Sequence, residues 1–302
     1  NTVYFRILIT VIMRTLRNLW IVPMRGIGQV MFQENALSGV LMLLGIAVGS
    51  PTAALLALAG NAVGTLTARL LRYSIADINR GLYGFNGTLV GIAVGVFFPL
   101  GWQAALLLVA GSALSSLVTR FFLACRIPGF TAPFILTTWL LLGSAALLWP
   151  SLRLSGENTA AEYAPQWLQA LSLHFGQVMF EGRSLLTGAL FFAGIAVNGS
   201  RGALFALWGA LLPLGMAFLS DDCTAFNAGL YGYNGVLCAI ALAGPSGRDF
   251  TLATGAVLLS IFLQWFGMRA GIVTLTAPFV AAVWTVKAIN RSISSITNRL
   301  HV

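Results

Sequence analysis

The chain has 302 residues, of which 58% are hydrophobic and only 8% are charged. Because an average soluble domain has about a quarter of its residues charged, this composition excludes a soluble enzyme, a disordered chain and a secreted disulfide scaffold, and it leaves an integral membrane protein. The net charge is +9, but the basic residues lie singly between apolar stretches, which favours orientation in a bilayer over nucleic-acid binding.

Stretches without charged residues predict the membrane helices, each of which needs about 20 mostly apolar residues. Asn35–Ala68 and Gly81–Thr119 are each long enough for two helices, with breaks predicted at Ser50-Pro51 and at Pro99–Gly101. Ile127–Leu152 adds a fifth span. Five further windows follow in the second half, namely Ser184–Ser200, Gly202–Ser220, Cys223–Gly247, 251–268 and Ala270–Val286. Because the windows are continuously apolar, we predict an all-α polytopic membrane protein and no strand barrel.

A segment before the first window of each half does not fit a lipid-facing helix. Residues 15–32 contain Arg17 and Arg25, and Tyr163–Phe180 is the corresponding segment of the second half. We therefore predict that both segments are short, interfacial or re-entrant, and shielded by protein. Each half also contains a Thr-Ala-Pro-Phe motif, where proline forces a helix to start or break, and matching breaks in two halves usually mark a permeation site.

An internal repeat divides the chain. Five motifs recur in the same order at an offset of 145 to 149 residues, namely Gly28–Phe32 with Gly176–Phe180, Ser38-Gly39 with Thr187-Gly188, Gly45–Val48 with Gly194–Val197, Gly81–Gly87 with Gly229–Gly235, and Thr131–Phe134 with Thr276–Phe279. Since five spans make an odd number, the second copy must enter from the opposite face, as an inverted repeat. The predicted division is a first repeat with an N-terminal interfacial segment (1–150), an external loop (151–166) and a second repeat with a cytoplasmic tail (167–302).

The basic residues predict the orientation of the chain in the membrane. With the N-terminus in the cytoplasm, 14 of the 17 basic residues fall inside, and only Arg153, Arg183 and Arg269 fall outside. This bias predicts a multi-pass protein of the inner or plasma membrane with both termini cytoplasmic.

The residue inventory gives little material for catalysis or for ion coupling. The two histidines, His174 and His301, have no partner at metal spacing, and no glycine-rich phosphate loop is present, so we expect no enzyme activity, metal or cofactor. The acidic residues all lie at the edges of the apolar windows, which leaves no proton or sodium relay. Glu34 and Glu181, which follow the glutamine motifs, are expected to cap helix N-termini rather than to line a pore mouth.

What remains is a set of neutral polar residues at matching positions, namely Gln29 with Gln177, Thr131 with Thr276, and Asn86 with Asn234. Such groups can replace the hydration of an uncharged polar permeant without holding an ion. Aromatic residues also recur in pairs, and facing rings would suit a planar solute, although ordinary helix packing explains them equally well. The asparagines are expected to cap or brace the glycine-rich bend rather than to touch solute.

At these motifs the sequence resembles the urea transporter (urea channel) family, over roughly residues 25–290. The resemblance implies ten transmembrane helices plus two re-entrant half-helices, in two inverted five-helix repeats around a central pore. It also implies a homotrimer with one pore per protomer and passive, channel-like movement of urea and close analogues. Two alternatives stay open, namely an ion-gradient-coupled secondary transporter of a small neutral amide and an ammonia or water channel, whereas a membrane enzyme is least supported.

The resemblance also assigns roles to residues at the matching motifs. The polar ladder that accepts the urea amides would be Gln29, Gln177, Thr131 and Thr276. The aromatic slots would be lined by Phe32, Phe85, Phe180 and Tyr233. The apolar walls would be Val30, Val178, Leu89 and Leu237. Tyr233 stands where the family usually has phenylalanine, and the segments before Thr131 and Thr276 both depart from the family's Leu-Pro pattern.

Overall fold

The computed structural model describes residues 20–152, 161–219 and 223–300, with side chains as far as residue 294. The predicted N-terminal interfacial segment up to residue 19, the middle of the inter-repeat loop (153–160) and the last residues of the tail lie outside the described residues. All regular structure in the described ranges is helical, and they contain no strand, which confirms the predicted class.

Fourteen helices follow one another in the described part of the chain. The first half contains α1 (20–29), α2 (Ala36–Gly49), α3 (Pro51–Leu70), α4 (Ile75–Asn79), α5 (Phe85–Phe97), α6 (Trp102–Ala124) and α7 (Ala132–Leu148). The second half contains α8 (Trp167–Gly176), α9 (Leu185–Asn198), α10 (Ser200–Leu211), α11 (Thr224–Asn227), α12 (Tyr233–Ala241), α13 (Gly247–Arg269) and α14 (Ala277–Leu300). Short 3₁₀ segments extend α8 (Gln177–Met179) and α10 (Leu212–Phe218).

Apolar helices of membrane-crossing length identify the chain as an integral membrane protein. Among the described residues, four helical stretches are long and apolar enough to cross a bilayer, namely α3, α6, α13 and α10 together with its 3₁₀ extension. Four shorter apolar helices, α2, α5, α7 and α9, accompany them. Many leucine, valine and tryptophan side chains are exposed along these helices, as expected of helix faces that contact lipid.

Both breaks predicted inside the long apolar windows are confirmed. α2 ends at Gly49, the Ser50 side chain accepts a hydrogen bond from the backbone of Ala53 at 3.2 Å, and Pro51 opens α3. Proline suits this first helical position because it has no N–H to leave unsatisfied. α5 ends at Phe97, and α6 begins at Trp102 after the Pro-Leu-Gly segment.

The backbone follows the same path at corresponding points of the two halves. Phe32 and Phe180, each after the first helix of its half, both adopt the left-handed conformation, with φ of 60° and 62°. Phe130 and Leu275, which each precede the threonine of a Thr-Ala-Pro-Phe motif, have φ of 49° and 50°. Non-glycine residues visit this region rarely, so its recurrence at four matched positions marks two copies of one backbone design.

Contacts between the halves are reciprocal. The indole N–H of Trp139 in α7 donates to the carbonyl of Val273 at 2.7 Å, and the indole N–H of Trp284 in α14 donates to the carbonyl of Pro128 at 2.9 Å. Trp139 corresponds to Trp284 and Pro128 to Val273 at the same offset. Such an exchange of equivalent contacts is what a two-fold relation between two copies produces.

Helices α2 and α9 form a close inter-half contact through small residues. A Cβ on Gly45 would lie 2.8 Å from the ring of Phe191, and a Cβ on Gly194 would lie 3.1 Å from the carbonyl oxygen of Ser38. The Thr187 hydroxyl also donates to the Gly45 carbonyl at 2.8 Å. Glycine at the crossing lets two backbones approach where any side chain would hold them apart, as is typical of helix pairs in membranes.

Candidate permeation site

Two cavities, one formed mainly by each half, contain most of the residues that the motifs predict as contacts of a permeant. The first cavity has a volume of about 170 Å³ and is lined by Gln29, Phe32, Leu82, Phe85, Thr119, Phe122, Leu123, Pro128, Gly129, Phe130 and Pro133. The second cavity has a volume of about 200 Å³ and is lined by Phe97, Gln177, Val178, Phe180, Leu230, Tyr233, Gln264, Met268, Ile272, Val273, Thr274, Leu275 and Thr276. None of the described residues in either wall is charged.

The two predicted glutamines are held in the same way. Gln29 Nε2 donates to the carbonyl of Arg80 at 3.0 Å, and Gln177 Nε2 donates to the carbonyl of Ala228 at 2.9 Å. Arg80 and Ala228 are the C-terminal caps of α4 and α11, where backbone carbonyls lack a helical partner. Because a carbonyl can only accept, the amide nitrogen must face it, and each glutamine keeps its Oε1 as an acceptor for the cavity.

The two predicted threonines meet between the halves. The hydroxyls of Thr131 and Thr276 are 2.7 Å apart and share a hydrogen bond. Both side chains are almost fully buried, each immediately before α7 or α14. Thr276 lines the second cavity, whereas Thr131 lies in the chain between Phe130 and Pro133 of the first cavity. Thr131 is thus in the wall of neither cavity, but its hydroxyl is bonded to that of Thr276, which is in the wall of the second.

The predicted aromatic residues all line the cavities, but their rings have partners that the motifs did not indicate. Phe32 packs edge-on against Phe130, with centroids 5.8 Å apart and planes at 84°. Phe180 packs edge-on against Phe97 at 6.2 Å and 86°. Sequence reasoning missed Phe130 and Phe97. The position of Phe130, directly before the Thr-Ala-Pro-Phe motif, was the available signal.

The four predicted apolar wall residues separate into two groups. Val178 lines the second cavity. Val30, Leu89 and Leu237 are completely buried in the core and are in the wall of neither cavity. The structure thus brings Val178 to the wall of the second cavity and buries the other three in the core.

The asparagines of the glycine-rich segments hold the starts of α7 and α14. Asn86 Oδ1 accepts from the backbone N–H of Phe134 at 3.2 Å, and Asn234 Oδ1 accepts from that of Phe279 at 3.1 Å. These N–H groups belong to the first helical turn, which has no intrahelical acceptor for them. Neither asparagine lines a cavity, as expected from the sequence.

Replacing either asparagine by leucine should destabilise the protein, by about 1–3 kcal/mol, because a buried N–H loses its acceptor. Thermal unfolding of Asn86→Leu and Asn234→Leu in detergent, compared with Asn198→Ala at an exposed helix end, measures this loss. Equal melting temperatures for all three variants would show that the asparagines are not braces.

A polar network in the second cavity was not predicted. The Tyr233 hydroxyl donates to the Leu275 carbonyl at 2.6 Å and lies 3.2 Å from Gln264 Oε1. Thr274 Oγ1 donates to the same Gln264 oxygen at 2.8 Å. At the matching positions the first half has Phe85, Thr119, Gly129 and Phe130. The signal was a single glutamine inside the apolar run of α13, since a lone polar residue in a membrane helix is costly.

The expectation that Glu34 and Glu181 cap helices was wrong. Asn35 caps α2, accepting from Leu37 N at 2.8 Å, and Ser184 caps α9. Glu34 instead accepts from Arg80 Nε at 2.9 Å in an exposed ion pair. Glu181 is buried with its carboxylate against Gly49. Asn35 and Ser184 have shorter side chains than glutamate and reach the N-terminal amides of these helices more directly.

No cluster of three potential metal ligands occurs among the described residues.

His174 has a packing environment. Its ring is completely buried, Nδ1 lies 2.8 Å from the Ala210 carbonyl, and the ring occupies the space that a side chain on Gly232 would need. This is the shielded role expected for a lone histidine inside an apolar protein.

Comparison with known proteins assigns both halves of the chain to one family. The sequence model described as "Urea transporter" matches residues 21–291. The chain is 33% identical over 272 residues to urea transporter 1 of Rattus norvegicus, an overlap of 82% of this chain and 68% of the rat protein. It is 31% identical over 243 residues to urea transporter 1 of Ovis aries (73% and 62%) and 30% identical over 292 residues to that of Mus musculus (88% and 73%).

Proposed function

The chain belongs to the urea transporter family, and from this premise we propose that it is a passive channel that moves urea down its concentration gradient. The observation that carries the proposal is the pair of uncharged cavities in which Gln29 and Gln177 each keep one amide oxygen free. The family is a transport family, and we propose no enzymatic step and no cofactor.

The chemistry of the cavities suits a small planar amide. Urea has four N–H donors. The glutamine and threonine side-chain oxygens can accept hydrogen bonds from these donors in place of water. The apolar remainder of each wall gives an ion no compensation for lost hydration. Each hydrogen bond is worth about 1 kcal/mol net, which lets a solute exchange partners without becoming trapped. The Thr131 and Thr276 hydroxyls would pass urea between the two cavities, and Phe32, Phe85, Phe180 and Tyr233 would form the slot walls.

We further propose ten membrane spans in two inverted repeats, with α1 and α8 as the re-entrant half-helices. Both helices end beside a cavity, and the chain then reverses at Phe32 or Phe180. The reciprocal contacts of Trp139 and Trp284 support a two-fold relation between residues 1–150 and 167–302. The basic residues favour cytoplasmic termini in an inner or plasma membrane, and the family membership favours a homotrimer.

Urea flux into proteoliposomes tests the proposal. Stopped-flow light scattering should record urea entry well above that of empty liposomes at neutral pH with no ion gradient. The flux should be unaffected by an imposed proton or sodium gradient, because no charged group lies in either cavity wall. Absence of urea flux would contradict the proposal. Dependence of the flux on a proton or sodium gradient would favour a coupled amide transporter, and flux of ammonia or water alone would favour an ammonia or water channel.

A further inference from the structure

Gln264 is a buried polar residue whose role the repeat does not explain. It lies within α13, is 2% exposed and lines the second cavity together with Gln177 and Thr276. The first half has Thr119 at the matching position. Any role of the Gln264 amide is therefore confined to the second cavity.

The orientation of the Gln264 amide follows from its neighbours. The backbone N–H of Phe279 donates to Asn234 Oδ1 at 3.1 Å, so the other atom of the Asn234 amide is its NH₂ group. Asn234 Nδ2 lies 3.2 Å from Gln264 Oε1 and must donate to it. The Thr274 hydroxyl donates to the same oxygen at 2.8 Å. Oε1 is thus occupied by two donors.

The Gln264 NH₂ group, in contrast, has no hydrogen-bond partner among the described residues, although the side chain forms part of the cavity wall. Gln177 has the opposite arrangement, because its nitrogen is bound to the Ala228 carbonyl and its oxygen remains. The second cavity therefore offers both an amide acceptor and an amide donor.

Thr119 does not supply a comparable donor in the first cavity. Its hydroxyl donates to the Ser115 carbonyl at 2.8 Å and accepts from Asn86 Nδ2 at 3.2 Å. The single hydroxyl proton is consequently used within the protein. Among the described residues, the wall of the first cavity therefore has no counterpart of the Gln264 NH₂ group.

We infer that Gln264 Nε2 donates a hydrogen bond to the carbonyl oxygen of the permeant in the second cavity. Gln264 is then a specificity-determining residue that selects solutes combining N–H donors with a strong carbonyl acceptor, as urea does. The inference rests on the proposed urea channel and deepens it. It adds recognition of the carbonyl end to recognition of the amide groups.

The test compares urea with thiourea, whose sulfur is a poorer acceptor than the urea oxygen. Gln264→Met keeps the length of the side chain and removes its hydrogen-bonding groups. We expect its urea flux to fall about fivefold, the effect of losing one hydrogen bond. Thiourea flux should change by less than about twofold, so the urea-to-thiourea ratio should fall. A purely structural role would slow both solutes alike.

Thr119→Val is the matched control, since it removes the polar group at the same position of the first half. Its urea-to-thiourea ratio should equal that of the wild-type protein, whatever its absolute flux. Gln264→Thr, which installs the residue that the first half already carries, is the second variant should the methionine variant fail to fold.

The outcomes separate the two proposals. An unchanged ratio in a folded Gln264 variant, with urea flux in the wild-type protein, overturns the role of Gln264 and leaves the channel in place. No urea flux in the wild-type protein overturns the channel itself. A ratio that falls equally in Thr119→Val also overturns the inference, because the effect would then not come from the donor in the second cavity.

Discussion

Valine at both Thr131 and Thr276 should give a protein that is as stable as the wild type but conducts urea more slowly than either single variant. Each single Thr→Val change leaves the other hydroxyl buried without its 2.7 Å partner, which costs about 1–3 kcal/mol. The double change removes both polar groups at nearly constant shape and should recover that loss. Flux should fall about fivefold per hydroxyl, because each offers the solute one hydrogen bond of about 1 kcal/mol.

Thermal unfolding and stopped-flow urea flux of the four proteins measure the two effects separately. Thr138→Val is the matched control, since this buried hydroxyl in α7 has no partner among the described residues; its removal should not lower stability and should leave flux unchanged. Wild-type flux in the double variant would remove the threonines from the urea path. A stability loss equal to the sum of the single variants would show that the two hydroxyls do not act as a pair.

The sequence was sufficient where a local rule determines the structure. Charge-free windows predicted the apolar helices, and proline placed the break at Ser50-Pro51. The doubled motifs predicted which residues would recur together, and the structure places Gln29 and Gln177 in equivalent cavities. Their role in conduction stays a prediction until flux is measured.

Side-chain direction could not be obtained in the same way. Leu89 and Leu237 lie near the aromatic residues in the motif, yet helix rotation turns them into the core. Gln264 lies 30 residues from Asn234 in sequence and meets it only because α12 and α13 pack together. The contact between Phe32 and Phe130 likewise depends on where separate segments meet. These contacts depend on how separate helices pack against one another, and that packing cannot be predicted from local patterns in a single sequence.

The repeat also hides compensating exchanges between the halves. In the first half, Asn61 of α3 occupies the space that side chains on Gly26 and Gly84 would need. In the second half, His174, which corresponds to Gly26, fills the equivalent space against Gly232. The filling residue is thus contributed by a different helix in each copy. Motif comparison finds only positions that match and passes over pairs in which one change offsets another.

Alanine at Gly39 or at Gly188 should strongly destabilise the protein, although each substitution adds only one methyl group. A Cβ on Gly39 would overlap the backbone carbonyl oxygen of Met24, and a Cβ on Gly188 would overlap that of Ser172. Backbone atoms cannot rotate away as the end of a side chain can. The first helix of each half would have to separate from the second, with a loss of several kcal/mol from broken packing.

The same separation should abolish urea flux, because α1 and α8 carry Gln29 and Gln177 to the cavities. Gly143→Ala and Gly255→Ala are matched controls in α7 and α13, where a Cβ meets nothing within 4 Å. These controls should gain about 0.5–1 kcal/mol, since alanine favours a helix over glycine. A loss of stability therefore indicates that the glycine is needed for close approach of two helices, whereas a gain reflects only the higher helix propensity of alanine. Because the contact recurs in both halves, Gly39→Ala and Gly188→Ala should fail alike, and a Gly39→Ala protein as stable as Gly143→Ala would show that α1 does not depend on this contact.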